Sequence, residues 1–468
     1  MVDETRPIEV EVTAALLEAS ARAPGDATPL LRILCLHPAN LATWRQLAGH
    51  HARAGTFEDG FRAYRVVSYL GPRDPTVHVD RSTFERLAGD RTAAERAMRR
   101  ALSIEPVNPA GWLVLGEFAQ LMGSRGCAER LVRCAECLSE NSDSGLSIVY
   151  ARLRNDPRNR WLRKRFRIRH AGAFQAPWVL DRAPGREWLG PRHRVSSLLV
   201  WGEMGVGDQV FFARDLDRLS RIIDQVWVVV HPRLRRLFQR SFPGVEILPG
   251  PPSPTVRADI DAEISIGDLG AVLPFESVGP YLKPDPSTIP SPWFTRGRGK
   301  VIRVGISWRG GGRLNEAPLR QLSRQDLSRI LESGSALNIE WVSLQHGVRD
   351  DERGEVARLH GVEFIDSLDL MGDADPLAAC LSSLDMLVSV NNTNVHFAGA
   401  LGLPTAVLLR DIPTWLWGAS DDQSPWYRGT VLYREHDPRT NVPMVDRLLR
   451  DFESYVRRAQ SSRGPNEI

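Results

Sequence analysis

The residues best suited to chemistry lie in glycine-containing loops that directly follow buried apolar runs. The first loop begins at Gly202 and ends at Asp208, after the apolar run 195–201. Gly205 and Gly207 allow the backbone to approach a ligand at the start of the following helix. The Asp208 carboxylate either caps that helix or takes a proton from an acceptor hydroxyl at the mouth of a cleft. The spacing is not that of the dinucleotide motif G-x-G-x-x-G, and an acid follows the last glycine.

A second loop combines glycines with arginines. The run 301–308 predicts a strand that carries Ser307 near its end. Arg309 follows, and three glycines separate it from Arg313. Backbone N–H groups and guanidinium groups together suit the negative charge of a diphosphate. This loop is therefore a candidate phosphate site.

Two more predicted strands end in polar residues. The run 340–344 ends at Gln345, and the run 384–390 leads into a polar segment that opens a helix of small residues. That segment contains Asn391, Asn392, Thr393, Asn394 and His396. A helix N-terminus offers N–H groups and a dipole to an anion, so a departing nucleoside diphosphate could be stabilised there without a metal. A well-capped helix with a buried histidine is the alternative for this segment alone, and the Arg309 loop in the same domain favours the ligand site.

These loops require sheets to position them. From about residue 195 onward, short apolar runs alternate with amphipathic helical patterns, which predicts α/β sheets. The polar residues then lie where strands end and helices begin.

The first 140 residues contain a different signal, a repeat of 34 residues. Aromatic or polar ring residues, turn glycines and small helix residues recur at that spacing: Trp44, His78 and Trp112; Gly55, Gly89 and Gly123; Gly60, Ala94 and Ala128. These offsets resemble those of the tetratricopeptide repeat, in which paired antiparallel helices stack into a concave surface for peptides or proteins. We predict three full repeats within about 41–140, preceded by an imperfect helical pair that includes Ala14 and Leu30.

Composition limits the class of protein. The 468 residues exceed one ordinary core, and 60 basic against 57 acidic residues leave a charge of +3, too small to indicate a nucleic-acid partner. No apolar run approaches the roughly 18 residues of a membrane span, and the N-terminus lacks a secretory signal. Five cysteines do not form a disulfide framework, so we expect a cytoplasmic protein. Cys134 and Cys137 form an isolated pair, and we expect no metal site there.

A basic connector follows the repeats. Residues 151–170 contain nine Arg or Lys side chains and a single acid, Asp156. A brace between domains is the favoured interpretation, and a dock for an acidic or phosphorylated partner is the alternative.

Several motifs, taken together, resemble a known family. In chain order they are Trp201–Arg214, Val304–Trp308, Ser343–Gly347, Asn391–His396 with Ala398–Gly402, and Ser424–Tyr427. They resemble the motifs of bacterial proteins that join tetratricopeptide repeats to a heptosyltransferase-like domain. The resemblance implies an all-α helical repeat domain followed by an α/β GT-B fold with two Rossmann-like lobes. The expected boundaries are 1–140 for the repeats, 141–194 for the connector, 195–298 for the acceptor lobe and 299–468 for the donor lobe.

The resemblance also implies a function. Relatives of this kind transfer a sugar from a nucleotide-sugar with inversion and without a metal or cofactor, and the aspartate after the first glycine loop, here Asp208, is the proposed general base. The donor binds the second lobe, and the repeats recruit a protein acceptor, with flagellin among the acceptors of similar proteins. Many relatives carry an Asp-Thr pair where this chain has Asn391 and Asn392, which removes a negative charge near the donor phosphates.

Two alternatives remain. One is an inactive adaptor that keeps the fold and binds partners through its repeats, and the other is a transferase acting on lipid-linked or polysaccharide acceptors. Asp208, Arg309 and His396 favour an active enzyme, and the repeats favour a protein acceptor. We expect the tryptophans at 415, 417 and 426 to pack in the core, and no nucleic acid or transmembrane segment is expected.

Overall fold

The computed structural model of the chain describes residues 26–139, 145–160, 162, 185–248, 250–289, 301–310, 320–365, 369, 372–410, 414–419, 421–435, 437, 440 and 442–462. The chain divides into two compact units, Met1–Ile148 and Val149–Ile468. Each unit is built around its own buried apolar residues.

The first unit consists of helical hairpins. Its helices are α1 (Thr28–Leu36), α2 (Leu41–Ala54), α3 (Phe57–Leu70), α4 (Pro75–Leu87), α5 (Arg91–Ile104), α6 (Pro109–Leu121) and α7 (Arg125–Leu138). The first helices of successive pairs begin at residues 41, 75 and 109, and the second helices begin at 57, 91 and 125, a constant spacing of 34. The three predicted repeats are therefore confirmed.

Each repeat begins with the same hydrogen-bonded turn. The indole Nε1 of Trp44 donates to the carbonyl of the proline six residues earlier over 2.8 Å, and Trp112 does the same over 2.8 Å. In the middle repeat, His78 Nε2 lies 3.1 Å from the equivalent carbonyl. A carbonyl only accepts, so His78 carries its hydrogen on Nε2. A histidine can therefore replace the tryptophan because both rings present an N–H to the same turn.

The predicted pair before these repeats is described only in part. Helix α1 is present, and its Leu30 and Ile33 side chains are buried. Ala14 and the rest of residues 1–25 lie outside the described residues.

Helix α8 (Gly145–Asn155) leads into the second unit, which contains two parallel sheets. The strands of the first sheet are β1 (Ser197–Trp201), β2 (Gln225–Val229), β3 (Glu246–Leu248) and β4 (Ala262–Ser265), in the spatial order β3-β2-β1-β4. Those of the second are β5 (Ile302–Ser307), β6 (Ile339–Ser343), β7 (Glu363–Phe364), β8 (Met386–Val390), β9 (Thr405–Leu409) and β10 (Thr430–Arg434), in the order β10-β9-β8-β5-β6-β7. Strand pairing is parallel throughout both sheets, so their strand ends align.

Helices alternate with these strands along the chain. They are α9 (Val206–Phe212), α10 (Leu216–Leu219), α11 (Arg235–Ser241), α12 (Pro254–Ala258), α13 (Leu269–Val272), α14 (Arg324–Leu337), α15 (Asp350–His360), α16 (Ala374–Ser382), α17 (Thr393–Leu401) and α18 (Met444–Ser462). The predicted fold class, helical repeats followed by a two-lobed α/β region, is confirmed. None of the described helices combines the length and the apolar character needed to cross a bilayer.

Two connector arginines, Arg158 and Arg160, act as braces within the second unit. Arg158 donates to the carbonyl of Pro425 over 2.6 Å, and Arg160 donates to the carbonyl of Val272 over 2.6 Å. Val272 belongs to the first lobe and Pro425 to the second, so these guanidinium groups contact both lobes. Residues 163–184, which hold most of the other connector arginines, lie outside the described residues.

Candidate functional site

The polar loops of the second lobe meet where the strand order reverses. From β5 the chain continues to β6 and β7 on one side, and then crosses to β8, β9 and β10 on the other. The carboxyl ends of β5 and β8 therefore diverge into connections on opposite sides of the sheet. In open parallel sheets, ligands bind in the crevice at this switch point. Ser307, Arg309 and Asn392 all lie there.

Asn392 holds the ends of β5 and β8 together. Its Nδ2 donates to Ser307 Oγ over 2.8 Å and to the Arg309 carbonyl over 3.3 Å. Its Oδ1 accepts from Ser389 Oγ over 3.2 Å and from the Asn394 amide over 3.0 Å. The second of these bonds caps helix α17. The amide therefore uses both its donors and its acceptor within the protein.

Gln345 holds the ends of β5 and β6 together in the same way. Its Oε1 accepts from the backbone amides of Trp308 over 3.0 Å and Arg309 over 2.8 Å, and it lies 3.2 Å from Ser307 Oγ. Asn394 Nδ2 donates to the carbonyl of Leu344 over 3.0 Å, which attaches α17 to the end of β6.

The structure thus brings the predicted nucleotide-site residues together, but several of them bond to other protein groups and hold the loops in place. Four side chains form hydrogen bonds with one another and with the backbone at strand ends: Ser307, Gln345, Asn392 and Asn394. The half-buried residues of the predicted set are Asn391, Asn392, Thr393 and Arg309, and the buried ones are Ser307, Gln345, Asn394 and His396. Arg313 lies outside the described residues.

The Arg309 guanidinium is held by an acid. Its Nη1 lies 3.0 Å from Glu352 Oε2, and its Nη2 donates to the Gly347 carbonyl over 3.2 Å. The other oxygen of Glu352 accepts from the Trp308 indole over 2.9 Å. Arg309 therefore points to the β6 side of the crevice, and it contacts a phosphate only if it leaves this carboxylate.

The N-terminus of α17 offers fewer unbonded amides than the sequence suggested. The Asn394 amide is bonded to the Asn392 side chain, and the Val395 amide donates to the Asn392 carbonyl over 3.3 Å. The helix dipole is unaffected by these bonds. Charge stabilisation at this point therefore depends on the dipole and the Thr393 end of the helix.

The first-lobe loop is shaped by glycines and by one strained residue. Met204 has a φ of 61°, a left-handed conformation that is uncommon for a residue with a side chain. Gly205, not Asp208, is the N-cap of α9. Asp208 is the third residue of the helix, and its Oδ2 accepts a hydrogen bond from the Gly205 amide over 3.2 Å. Asp208 is therefore not the N-cap residue itself, although its carboxylate accepts a hydrogen bond from the amide of the N-cap residue, Gly205.

Helices α9 and α17 meet through Gly207. A Cβ atom added at Gly207 would lie 3.1 Å from Thr393 Oγ1 and 3.2 Å from Thr393 Cα. Such contacts are tighter than most Cβ contacts in proteins, so a larger residue at this position would have to push Thr393 away by a few tenths of an ångström. The helix that carries Asp208 thus packs directly against the N-terminus of α17.

His396 lies behind this contact and not at the open edge of the sheet. Its side chain is buried, with Trp417 stacked at a centroid distance of 5.5 Å and Phe211 at 5.7 Å. Burial lowers the pKa of His396 to about 4, so the ring is neutral at neutral pH. Its Nδ1 lies 3.1 Å from the Tyr427 hydroxyl.

Two residues that sequence reasoning did not select also face the crevice. Arg233, which follows β2, donates from Nε to the carbonyl of Gly372 over 2.5 Å and so crosses from the first lobe to the second. Partial burial, Arg309 and Arg233 together lower the pKa of His346, which follows Gln345. The positive charges of two guanidinium groups, one from each lobe, therefore disfavour protonation of the His346 imidazole. No local sequence motif marks Arg233. His346 lies within the Ser343–Gly347 motif, from which only Gln345 was predicted as a site residue.

Trp415, Trp417 and Trp426 are buried, as expected for packing residues. Cys134 and Cys137 are exposed thiols. Among the described residues, no group of three or more His, Cys, Asp or Glu side chains is arranged to hold a metal ion.

Known proteins are similar to this chain at a distance. No family model matches it. The sequence is 27% identical over 297 residues to Protein FlbA of Caulobacter vibrioides, a match that covers 58% of this chain and 49% of that protein. The chain thus spans about half the length of this curated relative.

Similar solved structures include enzymes of sugar transfer. An E. coli ADP-heptose lipopolysaccharide heptosyltransferase II is 12% identical, with 56% of this chain and 99% of that chain covered and a TM-score of 0.41. A Thermobaculum terrenum O-GlcNAc transferase mutant is 14% identical, with 100% of this chain and 95% of that chain covered and a TM-score of 0.34.

Proposed function

We propose that this chain is an inverting glycosyltransferase that moves a sugar from a nucleotide-sugar to a protein recruited by its repeats. The donor binds at the carboxyl edge of the second sheet, and Asp208 acts as general base toward the acceptor. Flagellin is one candidate acceptor, as the family resemblance of the motifs implies.

The main support is the contact between α9 and α17. Gly207 brings the turn that carries Asp208 against Thr393, at the N-terminus of the helix that follows β8. A candidate base and a candidate anion site are therefore adjacent but belong to different lobes. Inverting transfer needs this arrangement, with the base on the acceptor side and the departing diphosphate on the other.

The chemistry requires only a proton transfer and a bond exchange. Asp208 takes the proton of the acceptor hydroxyl while that oxygen forms a bond to the anomeric carbon. The bond from the anomeric carbon to the diphosphate breaks, and the nucleoside diphosphate leaves with the electron pair. The dipole of α17 and the guanidinium groups of Arg309 and Arg233 are the positive charges available for it.

The repeats support a protein acceptor. Stacked helical hairpins form surfaces for peptides and proteins, and α2 to α7 keep the 34-residue spacing throughout. A transferase for lipid-linked or polysaccharide acceptors has no evident use for such an array. An inactive adaptor would have no need for the close approach at Gly207.

The test is the substitution Asp208→Asn. Asparagine still accepts the bond from the Gly205 amide, so the helix is retained, but it cannot take a proton. Transfer should fall by a factor of about 100 or more, measured by intact mass of candidate acceptor proteins incubated with UDP-, GDP-, ADP- and CMP-sugars. Asp217→Asn is the matched control, because Asp217 lies on α10 and its exposed carboxylate pairs with the exposed guanidinium of Arg221 over 3.3 Å. Full activity of Asp208→Asn would remove the general-base role, and no transfer by the wild type with any donor would favour the adaptor.

A further inference from the structure

Two arginine positions recur in the second helix of all three repeats. They are the sixth and ninth residues of α3, α5 and α7, and all six side chains are exposed. Residues three apart share a face of a helix, so each of these helices presents two neighbouring guanidinium groups. The six residues, which we call the arginine rows, keep the 34-residue spacing of the repeats: Arg62, Arg96 and Arg130, and Arg65, Arg99 and Arg133.

The packing of the repeats does not require these arginines. The core side of the same helices has a series of its own at the same spacing, and Tyr64, Met98 and Val132 of that series are buried. The arginine rows also lie in the middle of helices of 14 residues, before the last turn, where the helix dipole would stabilise a cation. Neither core packing nor the helix dipole therefore accounts for them.

A general likeness of the repeats does not account for the arginine rows either. Two other exposed positions at the same spacing carry unrelated side chains: Glu58, Thr92 and Gly126 at one, and Tyr69, Ser103 and Cys137 at the other. The repeats thus differ in their exposed residues, and yet they keep arginine at both positions of the rows. A common task for these guanidinium groups explains the difference.

Acids of the same helices pair with only half of the arginine rows. Three ion pairs at helical spacing are formed, over 2.7, 2.7 and 2.8 Å: Arg62 with Glu58, Arg99 with Glu95 and Arg133 with Glu129. Among the described residues, no acid forms an ion pair with Arg65, Arg96 or Arg130. Each of the three helices therefore offers one exposed guanidinium group to a partner.

The charges around the arginine rows indicate the class of partner. Guanidinium groups bind carboxylates and phosphates through paired hydrogen bonds. The glutamates beside the rows, Glu58, Glu95 and Glu129, would repel a polyanion or a membrane surface in which every unit is charged. A polypeptide avoids this repulsion, because neutral residues can separate its Asp and Glu side chains.

We propose that the arginine rows form a docking surface for an acidic segment of a partner protein, with Arg65, Arg96 and Arg130 as its main contacts. The surface lies within the compact unit Met1–Ile148. It does not depend on the proposed glycosyl transfer, because no residue of the candidate functional site belongs to it.

Fluorescence anisotropy on the full chain tests this surface with a labelled peptide of alternating Glu and Ser residues. The wild type should bind this peptide, more weakly at high salt because exposed charges are screened, and should not bind the same peptide with Gln in place of Glu. The triple change Arg65→Gln, Arg96→Gln and Arg130→Gln should weaken binding at least about tenfold, because three exposed charge pairs are lost.

A matched control removes the same charge elsewhere. Arg32 on α1, Arg73 after α3 and Arg450 on α18 are exposed and lie outside the rows. Changing these three arginines to Gln should weaken binding less than about threefold, because only the distant, screened charge is lost. Exposed substitutions change stability little, and melting curves of both triple variants should match that of the wild type. Arg96→Gln alone, which should weaken binding by about twofold or more, keeps the test possible if the triple variant does not fold.

Three results would overturn the docking surface as proposed. The first is no binding of the Glu peptide by the wild type, and the second is an equal loss in the two triple variants, because net charge alone would then explain the binding. The third is tighter binding of a single-stranded thymidine oligonucleotide or of vesicles that contain phosphatidylserine, lost in the Arg65, Arg96 and Arg130 variant, which would identify the partner as nucleic acid or membrane. No sugar donor enters these assays, so absence of transfer by the wild type would overturn the proposed function and leave the docking surface standing.

Discussion

Arg309 is the residue whose surroundings differ most from its predicted use. The sequence places a guanidinium beside glycines, and the structure pairs it with Glu352 on α15, whose other oxygen holds Trp308. An arginine already bonded to a carboxylate must exchange that partner for a phosphate, and the two interactions are similar in kind. Glu352 is thus a competitor for the same guanidinium.

We expect Arg309→Ala to weaken binding of a nucleoside diphosphate by more than about 1.5 kcal/mol, the value of a lost charge-assisted hydrogen bond. Glu352→Gln should leave the affinity unchanged or increase it, because it releases the guanidinium while an amide oxygen still accepts from Trp308. Calorimetry with UDP, GDP, ADP and CMP measures both. Equal affinity of Arg309→Ala and the wild type would remove Arg309 from the site.

His396 makes stability depend on pH. Burial lowers its pKa from 6.5 to about 4, so the unfolded chain binds a proton at a pH where the folded chain does not. The contribution of His396 to the unfolding free energy is fully present above pH 6.5 and is lost as the pH falls toward 4. The change is on the order of 3 kcal/mol. His346 acts in the same direction, because its pKa is also lowered.

Urea unfolding between pH 7 and 4 should therefore show a steeper loss of unfolding free energy in the wild type than in His396→Asn. Asparagine does not titrate in this pH range. Parallel curves for the two proteins would mean that His396 is protonated in the folded state within this range.

At the scale of elements, a second contact joins the two lobes. Helix α11 and the short turn before it present arginines to the N-terminus of α16: Arg233 to the Gly372 carbonyl, Arg236 to Asp373 and Arg240 to Asp375. The Asp375 side chain is only 3% exposed. Burial raises the pKa of Asp375, and its bond to Arg240 opposes that rise.

Arg240→Ala should lower the unfolding free energy by about 1–3 kcal/mol, because it leaves the Asp375 carboxylate buried without its cation. The added change Asp375→Asn should recover part of this loss, and the double-mutant cycle should show a coupling above 0.5 kcal/mol in magnitude, roughly the threshold for residues in contact. Arg236→Ala is the control, because that guanidinium is 79% exposed and 3.6 Å from Asp373, and it should cost less than about 1 kcal/mol. Additive effects of Arg240→Ala and Asp375→Asn would contradict the coupling.

The elements themselves could be predicted where their signals are local. The repeats follow from residues that recur at a spacing of 34. The strand Met386–Val390 lies within the apolar run 384–390, and α17 begins at Thr393, inside the polar segment that follows that run. The helix after β1 ends sooner than its apolar spacing suggests, since the apolar positions Phe212, Leu216 and Leu219 continue through a 3-10 turn at Ala213–Asp215. Periodicity alone does not reveal such a change of helix type.

The partners of the site residues could not be predicted in the same way. Asn392 bonds Ser307 across 85 positions, and Arg309 bonds Glu352 across 43. These pairings depend on which strands become neighbours, and β5 lies beside β8 only because the chain crosses over the sheet. The sequence therefore identified which residues gather at the edge, but not which of them support the site and which face a ligand.

At the scale of the whole molecule, the proposed function assigns the two ligands to two units with separate cores. Under the proposed function, Met1–Ile148 recognises the acceptor protein and Val149–Ile468 binds the nucleotide-sugar, and these are the two compact units of the chain. Each ligand should then protect backbone amides in its own unit, because binding suppresses the local opening that permits exchange.

Hydrogen exchange on the full chain tests this division. A saturating nucleoside diphosphate, selected from UDP, GDP, ADP and CMP by thermal shift, should slow exchange at the ends of β5 and β8 and in the first turn of α17, and should leave α2 to α7 unchanged. The acceptor protein found by mass spectrometry should instead slow exchange within α2 to α7. The Asp208→Asn variant should show both patterns, because it lacks a base and keeps both binding surfaces. Protection of the repeats by the nucleotide alone, or of the sheet edge by the acceptor alone, would contradict the assignment of one ligand to each unit.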